Sequence, residues 1–268
     1  MSHADSSHQR PTVLVTGAAK RLGRAFCLAF ARAQWDVVCH FHASEREARE
    51  TQSLVHALGV ECALVQQDLQ APDAHERLLD ACEASMHRLP HCVVNNASVF
   101  ENDDAQSSSM AQLLMHFQVN TALPLMLGNA WAQRLSGRPA PAGSPSLIHV
   151  LDQKVHNLNP DYFSYTVSKL ALERSVALQA QALAPHVRVC GVSPGLIYLS
   201  GPQSQANFDQ ASRVNLRQQP IDPEDIARTA VFIAQNAALN GCTIQADNGQ
   251  HLVPLARDVM FTIPASPL

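Results

Sequence analysis

Short apolar runs alternate along the chain with longer amphipathic stretches. Residues 12–16 form an apolar, β-branched run, and Leu22, Phe26 and Phe30 then recur at the spacing of one helix face. The same alternation predicts further strands at 36–41, 60–66, 91–95, 146–151, 187–193 and near 242–246, and helices at 45–58, 72–88, 110–135, 161–184 and 223–235. Strands that alternate with helices in this way predict a parallel sheet of about seven strands.

A single domain accounts for this pattern, because no break in composition divides the 268 residues into two comparable halves. We predict an α/β domain over 11–250, a Rossmann-like doubly wound parallel sheet with helices on both faces, flanked by a flexible tail at 1–10 and a second tail at 251–268. The polar, glutamine-rich segment 197–220 shows no periodicity and follows the carboxyl end of a strand. A substrate lid is expected there.

Composition narrows the classes of function. A net charge of −4, with 16% charged and 46% hydrophobic residues, is ordinary for a globular enzyme and disfavours nucleic acid or a membrane surface as partner. No apolar run reaches the length of a membrane span, and the first residues lack the layout of a signal peptide, so a cytoplasmic location is expected. The seven cysteines contain no C-x-x-C pair and predict reduced core thiols, with no metal site.

A glycine-containing turn, Thr-Gly-Ala-Ala-Lys-Arg-Leu-Gly at 16–23, separates the first strand from the first helix. At such a turn, backbone N–H groups and the helix N-terminus can approach a pyrophosphate. The end of the second strand carries no acidic residue of the kind that usually binds the ribose of NAD. Arg21, His42 and Ser44 are instead suited to a 2′-phosphate, so NADPH is the expected cofactor. A surface arginine in a degenerate turn is the alternative for Arg21.

A second set of residues suggests catalysis. Tyr165 and Lys169 lie four apart on a predicted helix and therefore share one face. A tyrosine can donate a proton to a substrate heteroatom if its pKa is brought down, and Lys169 is expected to lower it electrostatically.

These motifs, in this order over about residues 11–250, resemble the short-chain dehydrogenase/reductase family. The resemblance implies that Asn120, Asp152, Tyr165 and Lys169 are catalytic, with Asn120 positioning a water and Lys169 also holding the nicotinamide ribose. It implies a cofactor site built from the loops that follow successive strands. Its residues are Gly17, Arg21, Leu22, Gly23, His40, His42, Ser44, Asp68, Leu69, Asn96, Ala97, Ser98, Tyr165, Lys169, Pro194 and Gly195. Asp68 has a simpler alternative as a cap of the next helix.

Four departures from the general family pattern resemble pteridine reductases: Arg21 at the middle glycine, the segment 40–44, Ser98 with Phe100, and Asp152 in place of Ser or Thr. An ionised carboxylate cannot donate a hydrogen bond to a ketone, and it would raise the pKa of Tyr165. A pterin instead presents N–H donors and ring nitrogens that accept protons. Ala43 departs from the pteridine reductases, where an arginine stands. The implied substrate residues are Ser98, Phe100, Asp152, Tyr165 and Leu196.

Dihydromonapterin, dihydrobiopterin and dihydrofolate remain open as substrates. A reductase of ketones or 3-oxoacyl groups, with Asp152 only capping a turn and Phe100 only packing, is one alternative function. A non-catalytic NADP-binding protein is another, although such proteins generally lose the tyrosine and lysine. The family resemblance also suggests a homotetramer. Apolar tail residues would pack against a neighbour in it, namely Leu252, Val253, Leu255, Met260, Phe261 and Ile263.

Overall fold

The computed structural model describes residues 10–138, 144–201 and 203–263. Seven strands and nine α-helices alternate over this part of the chain. The strands are β1 Thr12–Val15, β2 Asp36–Phe41, β3 Cys62–Gln66, β4 Cys92–Asn95, β5 Ser146–Val150, β6 Arg188–Pro194 and β7 Thr243–Ala246. The helices are α1 Arg21–Arg32, α2 Glu45–His56, α3 Ala74–Met86, α4 Met110–Phe117, α5 Leu123–Ser136, α6 Phe163–Leu183, α7 Gln205–Ala211, α8 Pro223–Gln235 and α9 Val259–Thr262. The expected tail at 1–10, apart from Arg10, and residues 264–268 lie outside the described residues.

All seven strands are parallel and form one sheet in the order β3-β2-β1-β4-β5-β6-β7. The predicted Rossmann-like α/β fold is confirmed. The strand order reverses between β1 and β4, so the chain leaves these two neighbouring strands in opposite directions. That reversal opens a crevice at their carboxyl ends, where doubly wound folds bind ligands.

Successive side chains of each strand enter two different cores, because a strand points them alternately to opposite faces. Val13 and Val15 join the core that α1, α2 and α8 cover, whereas Leu14 joins the core under α3, α5 and α6. Both cores contain fully buried large side chains, including Phe26 on one face and Trp131 on the other. The two cores hold the sheet rigid, so the loops at its carboxyl edge start from fixed positions.

The predicted helix at 110–135 is continuous but contains a π-helical turn, Gln118–Ala122, between α4 and α5. Ser109 begins α4 with a reciprocal capping box to Gln112. Turns of this wider kind interrupt the regular backbone hydrogen bonds and often occur at functional sites. Asn120 lies in the π-helical turn.

Two loop expectations need correction. The segment 197–220 is not without regular structure, because it contains α7, which Ser204 begins by accepting a hydrogen bond from the backbone N–H of Asn207. The described part of the tail, 251–263, folds onto its own domain, with Val259 and Met260 buried there. Met260 therefore leaves little surface for a neighbour, whereas Leu252 and Phe261 of the same tail are exposed. The homotetramer itself stays a prediction, which light scattering would test.

Within the described ranges, none of the helices combines the length and apolar character needed to cross a membrane. The same part of the chain contains no group of three or more His, Cys, Asp or Glu placed to hold a metal ion.

Candidate active site

A cavity of about 450 Å³ lies at the carboxyl ends of β1, β4, β5 and β6. Most of the residues that the sequence analysis singled out line it. They are Gly17, Arg21, Leu22, Gly23, Asn96, Ala97, Ser98, Phe100, Asp152, Tyr165, Lys169, Pro194, Gly195 and Leu196. The sheet thus brings together side chains from loops that are far apart in the sequence.

The turn at 16–23 depends on glycine at two positions. Gly17 has φ +61°, which favours glycine, and a Cβ on Gly23 would lie 2.1 Å from the carbonyl oxygen of Gly17. Asn96, which follows β4, fixes the turn by donating from its side chain to the carbonyl oxygens of Thr16 and Gly17, at 2.9 and 3.1 Å. The first turn of α1 can therefore approach the cavity closely.

His40 lies behind this turn and does not face the cavity. Its Nδ1 accepts a hydrogen bond from the backbone N–H of Gly17 at 3.0 Å, so its Nε2–H donates to the carbonyl oxygen of Gln67. Burial lowers the pKa of His40 to about 4, which keeps the ring neutral and suited to these two bonds. The expected direct contact of His40 with a cofactor is thus replaced by support of the turn.

Arg21 adopts an unusual backbone conformation at the position of the family's middle glycine, with φ +52°. Its guanidinium donates to the carbonyl oxygen of Leu199 at 3.0 Å and lies 5.0 Å from the centroid of the Tyr198 ring. A non-glycine residue in this region costs about 1–2 kcal/mol of backbone strain. The side chain therefore crosses from the turn to the segment 197–220.

The remaining residues expected at the cofactor lie outside the cavity lining. His42 and Asp68 are exposed neighbours, 3.8 Å apart between Nδ1 and Oδ1. Asp68 also accepts a hydrogen bond from the backbone N–H of Gln70, but the N-cap of α3 is Asp73, so Asp68 does not cap the next helix. Ser44 stands at the N-cap of α2, and Leu69 is buried in the core under α3. Leu69 can thus contribute backbone but little side chain to a ligand.

Asp152 and Tyr165 form a direct pair. The Tyr165 hydroxyl donates to Oδ2 of Asp152 at 2.8 Å, and Oδ1 accepts from the backbone N–H of Lys154 at 2.8 Å. Burial raises the pKa of the Asp152 carboxyl, and burial together with the nearby Asp152 charge raises the pKa of Tyr165 well above its usual value. Asp152 therefore accepts two hydrogen bonds, one that caps the turn and one from the Tyr165 hydroxyl.

Lys169 acts differently from the expectation. Its ammonium donates to the carbonyl oxygen of Val150 at 2.7 Å and lies 5.8 Å from the centroid of the Tyr165 ring. Burial lowers the pKa of Lys169 to about 8. The expected lowering of the Tyr165 pKa by Lys169 is not found, because burial and the Asp152 carboxyl both raise this pKa.

Asn120 holds the loop that carries Ser98 and Phe100. Its Oδ1 accepts from the backbone N–H of Val99 and the hydroxyl of Ser98, at 2.8 and 3.1 Å. Its Nδ2 donates to the Val99 carbonyl and to the Ser168 hydroxyl, each at 3.0 Å. Since these bonds engage both ends of the amide, the side chain positions the loop, and a bound water would have to use the backbone of the π-helical turn.

Phe100 presents an aromatic surface beside the Asp152–Tyr165 pair. Its ring stacks on Tyr162 at 4.2 Å between centroids and meets Tyr165 edge-on at 4.6 Å. The side chain is nevertheless 39% exposed, which is high for a residue that only fills a core. A flat ligand in the cavity would find this ring next to Tyr165 and Asp152.

The structure adds residues that the sequence analysis missed. Lys154, Asp258 and Val259 line the cavity, as does Gln153, whose buried Oε1 has no hydrogen-bond partner among the described residues. Gln250 accepts from the backbone N–H of Leu196 at 2.8 Å and so fixes the turn after Pro194. Gln153 and Lys154 directly follow Asp152, so their place in the sequence could have indicated that they lie at the cavity. No sequence pattern connects Asp258 with the cavity.

Known proteins share this architecture. Pteridine reductase 1 from Leishmania tarentolae is 29% identical to this chain, covering 92% of it and 98% of that protein. Dihydromonapterin reductase from Escherichia coli K12 is 25% identical, covering 90% of this chain and 96% of that protein. The crystal structure of FolM alternative dihydrofolate reductase 1 from Brucella canis complexed with NADP matches with a TM-score of 0.82 and 31% identity, covering 90% of this chain and 94% of that one.

The family model described as enoyl-(acyl carrier protein) reductase matches residues 17–251, which include the whole sheet beyond β1 and every predicted catalytic residue. Together with the seven-stranded parallel sheet and the similarity to the Brucella canis structure, this match establishes the family. The chain belongs to the short-chain dehydrogenase/reductase family.

Proposed function

We propose that this protein is an NADPH-dependent reductase of a pterin, with Tyr165 as the proton donor and Asp152 as its partner. The observation that carries the proposal is the hydrogen bond between the Tyr165 hydroxyl and the buried Asp152 carboxyl, at 2.8 Å and beside the exposed ring of Phe100. A cytoplasmic location is part of the same proposal. The similarity to pteridine and dihydromonapterin reductases supports the assignment of a pterin as substrate.

The cavity suits a dinucleotide phosphate. The two glycines of the turn leave room for backbone N–H groups to approach a pyrophosphate, and Arg21 supplies a guanidinium at the start of α1. Lys169 and the turn at Pro194 and Gly195 line the same cavity. NADPH bound by these residues would supply the hydride.

The protonation chemistry follows from the buried pair. Reduction of a C=N bond requires a proton at nitrogen as well as hydride at carbon. Because the pKa of Asp152 is raised, its carboxyl can hold a proton at a pH where an ordinary aspartate is ionised. Once protonated, Asp152 would lose the charge that helps to raise the pKa of Tyr165. It would then reverse the hydrogen bond and donate to the Tyr165 oxygen, while the Tyr165 hydroxyl proton passes to the substrate nitrogen. Asp152 then replaces the proton that Tyr165 has lost.

A pterin fits the other side chains of this region. Its flat ring would gain from stacking beside Phe100, and its N–H groups need acceptors. The Asp152 carboxyl provides acceptors in the cavity lining. A simple ketone presents no N–H donors and would leave these acceptors unused.

The first test is the rate of NADPH oxidation, followed by absorbance, against dihydromonapterin, dihydrobiopterin, dihydrofolate and several ketones, with NADH in parallel. The proposal predicts turnover of at least one pterin with NADPH preferred over NADH. Turnover confined to ketones would favour a carbonyl reductase and overturn the pterin assignment. Failure of NADPH to bind would overturn the assignment of NADPH as the cofactor.

Replacing Arg21 by glycine is expected to separate cofactor choice from stability. Loss of a charge-assisted hydrogen bond of about 1.5–3 kcal/mol should reduce the preference for NADPH over NADH by tenfold or more. Glycine adopts the positive φ of position 21 without the Cβ strain, so the free energy of unfolding should meanwhile rise by about 1 kcal/mol. Kinetics with both cofactors and urea unfolding measure the two effects.

Gln34→Gly is the matched control for this variant, since Gln34 has φ +63° and does not line the cavity. It should gain stability with no change in cofactor preference. An unchanged preference in Arg21→Gly would contradict a phosphate-binding role.

The pH dependence of kcat/KM is expected to have a falling limb above about pH 8. The pKa of Lys169 is lowered to about 8 by burial, so the ammonium is lost as the pH rises through that value. A protonated Asp152 carboxyl also loses its proton as the pH rises, so its titration acts in the same direction as that of Lys169. A profile of kcat/KM that stays flat to well above pH 8 would rule out a required ammonium on Lys169.

A further inference from the structure

The C-terminal segment, defined here as Arg257–Phe261, forms part of the cavity wall. Asp258 and Val259 line the cavity next to Lys154 and Asp152. Val259 and Met260 are buried, so the segment is packed against the domain and is not a loose end. The wall of the substrate region therefore comes partly from a short helix near the end of the described chain.

Several polar contacts fix this segment to the start of α6. The Arg257 guanidinium donates to both oxygens of Asp161 at 2.7 to 2.9 Å, and the backbone N–H of Asp258 donates to Asp161 Oδ2 at 2.7 Å. The Tyr162 hydroxyl donates to the sulfur of Met260 at 3.0 Å. Tyr162 is the same ring on which Phe100 stacks, so the segment is continuous with the aromatic surface of the site.

Lys154 connects the C-terminal segment to the loop that follows β5 and carries Asp152. It is 2% exposed, and its ammonium donates to the carbonyl oxygen of Asp161 at 2.6 Å and to Oδ2 of Asp258 at 3.3 Å. The ammonium also lies 5.1 Å from the centroid of the Tyr162 ring. A buried cation is costly unless it is paired and hydrogen-bonded, so these partners must stay in place around it.

We propose that Lys154 is a positioning residue that ties the C-terminal segment to the loop carrying Asp152, so that Asp258 and Val259 form a substrate wall beside the reactive pair. Lys154 reaches Asp258 from a backbone whose N–H is bonded to Asp152. The wall and the Asp152–Tyr165 pair are therefore set by one short loop. The assignment of the wall to substrate rests on the proposed function, whereas the tie itself does not.

The consequence is a separation of substrate binding from cofactor binding. The turn at 16–23 has no hydrogen bond to the C-terminal segment among the described residues. Loosening the segment should weaken substrate binding and leave the cofactor end unchanged. The carboxylate of Asp258 is suited to accept an N–H or O–H of the substrate, so the wall is expected to select for donor groups.

Lys154→Met tests the tie, with Lys154→Arg as the conservative variant and Asp258→Asn removing the charge from the other side. With the best substrate of the panel, Lys154→Met and Asp258→Asn should each raise its KM by about tenfold, with kcat and the KM for NADPH changed much less. Lys154→Arg keeps the positive charge, so its substrate KM should stay close to that of the wild type. Arg88→Met is the control, because it breaks the partly buried pair of Arg88 with Asp36 far from the cavity lining.

A second measurement does not need turnover. Hydrogen exchange followed by mass spectrometry should show faster exchange over 257–262 in Lys154→Met and unchanged exchange in the body of α6. Unchanged exchange over 257–262, or an equal rise of substrate KM in Arg88→Met, would overturn the tie. Faster exchange with no pterin turnover in the wild type would overturn the pterin assignment and leave the tie standing.

Discussion

Replacing Tyr165 by phenylalanine is expected to lower kcat by about 10²–10⁴-fold, the usual contribution of a general acid. The ring and its edge-on contact with Phe100 are retained, whereas the hydroxyl that donates to Asp152 is removed. Cofactor binding should survive, because the turn at 16–23 is untouched. Steady-state kinetics give kcat, and quenching of protein fluorescence by NADPH gives the cofactor Kd.

Tyr162→Phe is the matched control. Tyr162 is also buried and carries a hydroxyl with one partner, the sulfur of Met260, but it makes no hydrogen bond to Asp152. It should keep kcat within a few fold of the wild type. If Tyr165→Phe retained wild-type turnover, tyrosine would not be the acid. A comparable loss of kcat in both variants would indicate structural damage.

Asp152→Ser is expected to impair pterin reduction by about 10²-fold or more and to impair any ketone reduction much less. Serine can donate to a carbonyl oxygen but cannot return a proton to Tyr165 as a carboxyl with a raised pKa can. Removing the carboxylate should also allow the pKa of Tyr165 to fall, since the charge of Asp152 contributes to raising it. The ratio of kcat/KM for a pterin to that for a ketone measures the effect.

Asp152→Asn separates this role from the capping of the turn. The amide oxygen of asparagine can still accept the hydrogen bond from the backbone N–H of Lys154, so the local fold should be kept. Asparagine has no titrating proton, and pterin reduction should remain as low as in Asp152→Ser. Normal pterin turnover in Asp152→Asn would leave Asp152 with only the capping role.

Much of the fold is contained in local patterns. The alternation of apolar runs with helical stretches predicts all seven strands of the sheet within about two residues of their ends. The same patterns place Tyr165 and Lys169 on one helix face and Asp152 at a strand end. A parallel sheet then brings its strand ends to one edge, so the presence of these residues in one cavity follows from the sequence and the topology.

Contacts between loops are a different matter. The sequence places His40 at the end of β2, but its role behind Gly17 depends on how closely β1 and β2 pair. The sequence likewise suggests that Lys169 acts on Tyr165, whereas the burial of both groups and the nearness of Asp152 decide the direction of the pKa shift. Burial and distance are properties of the packed chain, and no periodicity records them.

The sequence by itself determined the strands and helices of the sheet, the turn at 16–23 and the shared helix face of Tyr165 and Lys169. These features depend on side-chain periods of two or about 3.6 residues and on residues close together in the chain. Only the tertiary structure decided that Asp152 bonds to Tyr165 and that Asp258 forms part of the cavity wall with Lys154. Asp258 is 104 residues from Lys154, and their contact depends on where an aperiodic segment returns to the sheet edge. That return is fixed by packing and buried charge pairing, which act only once the domain is assembled.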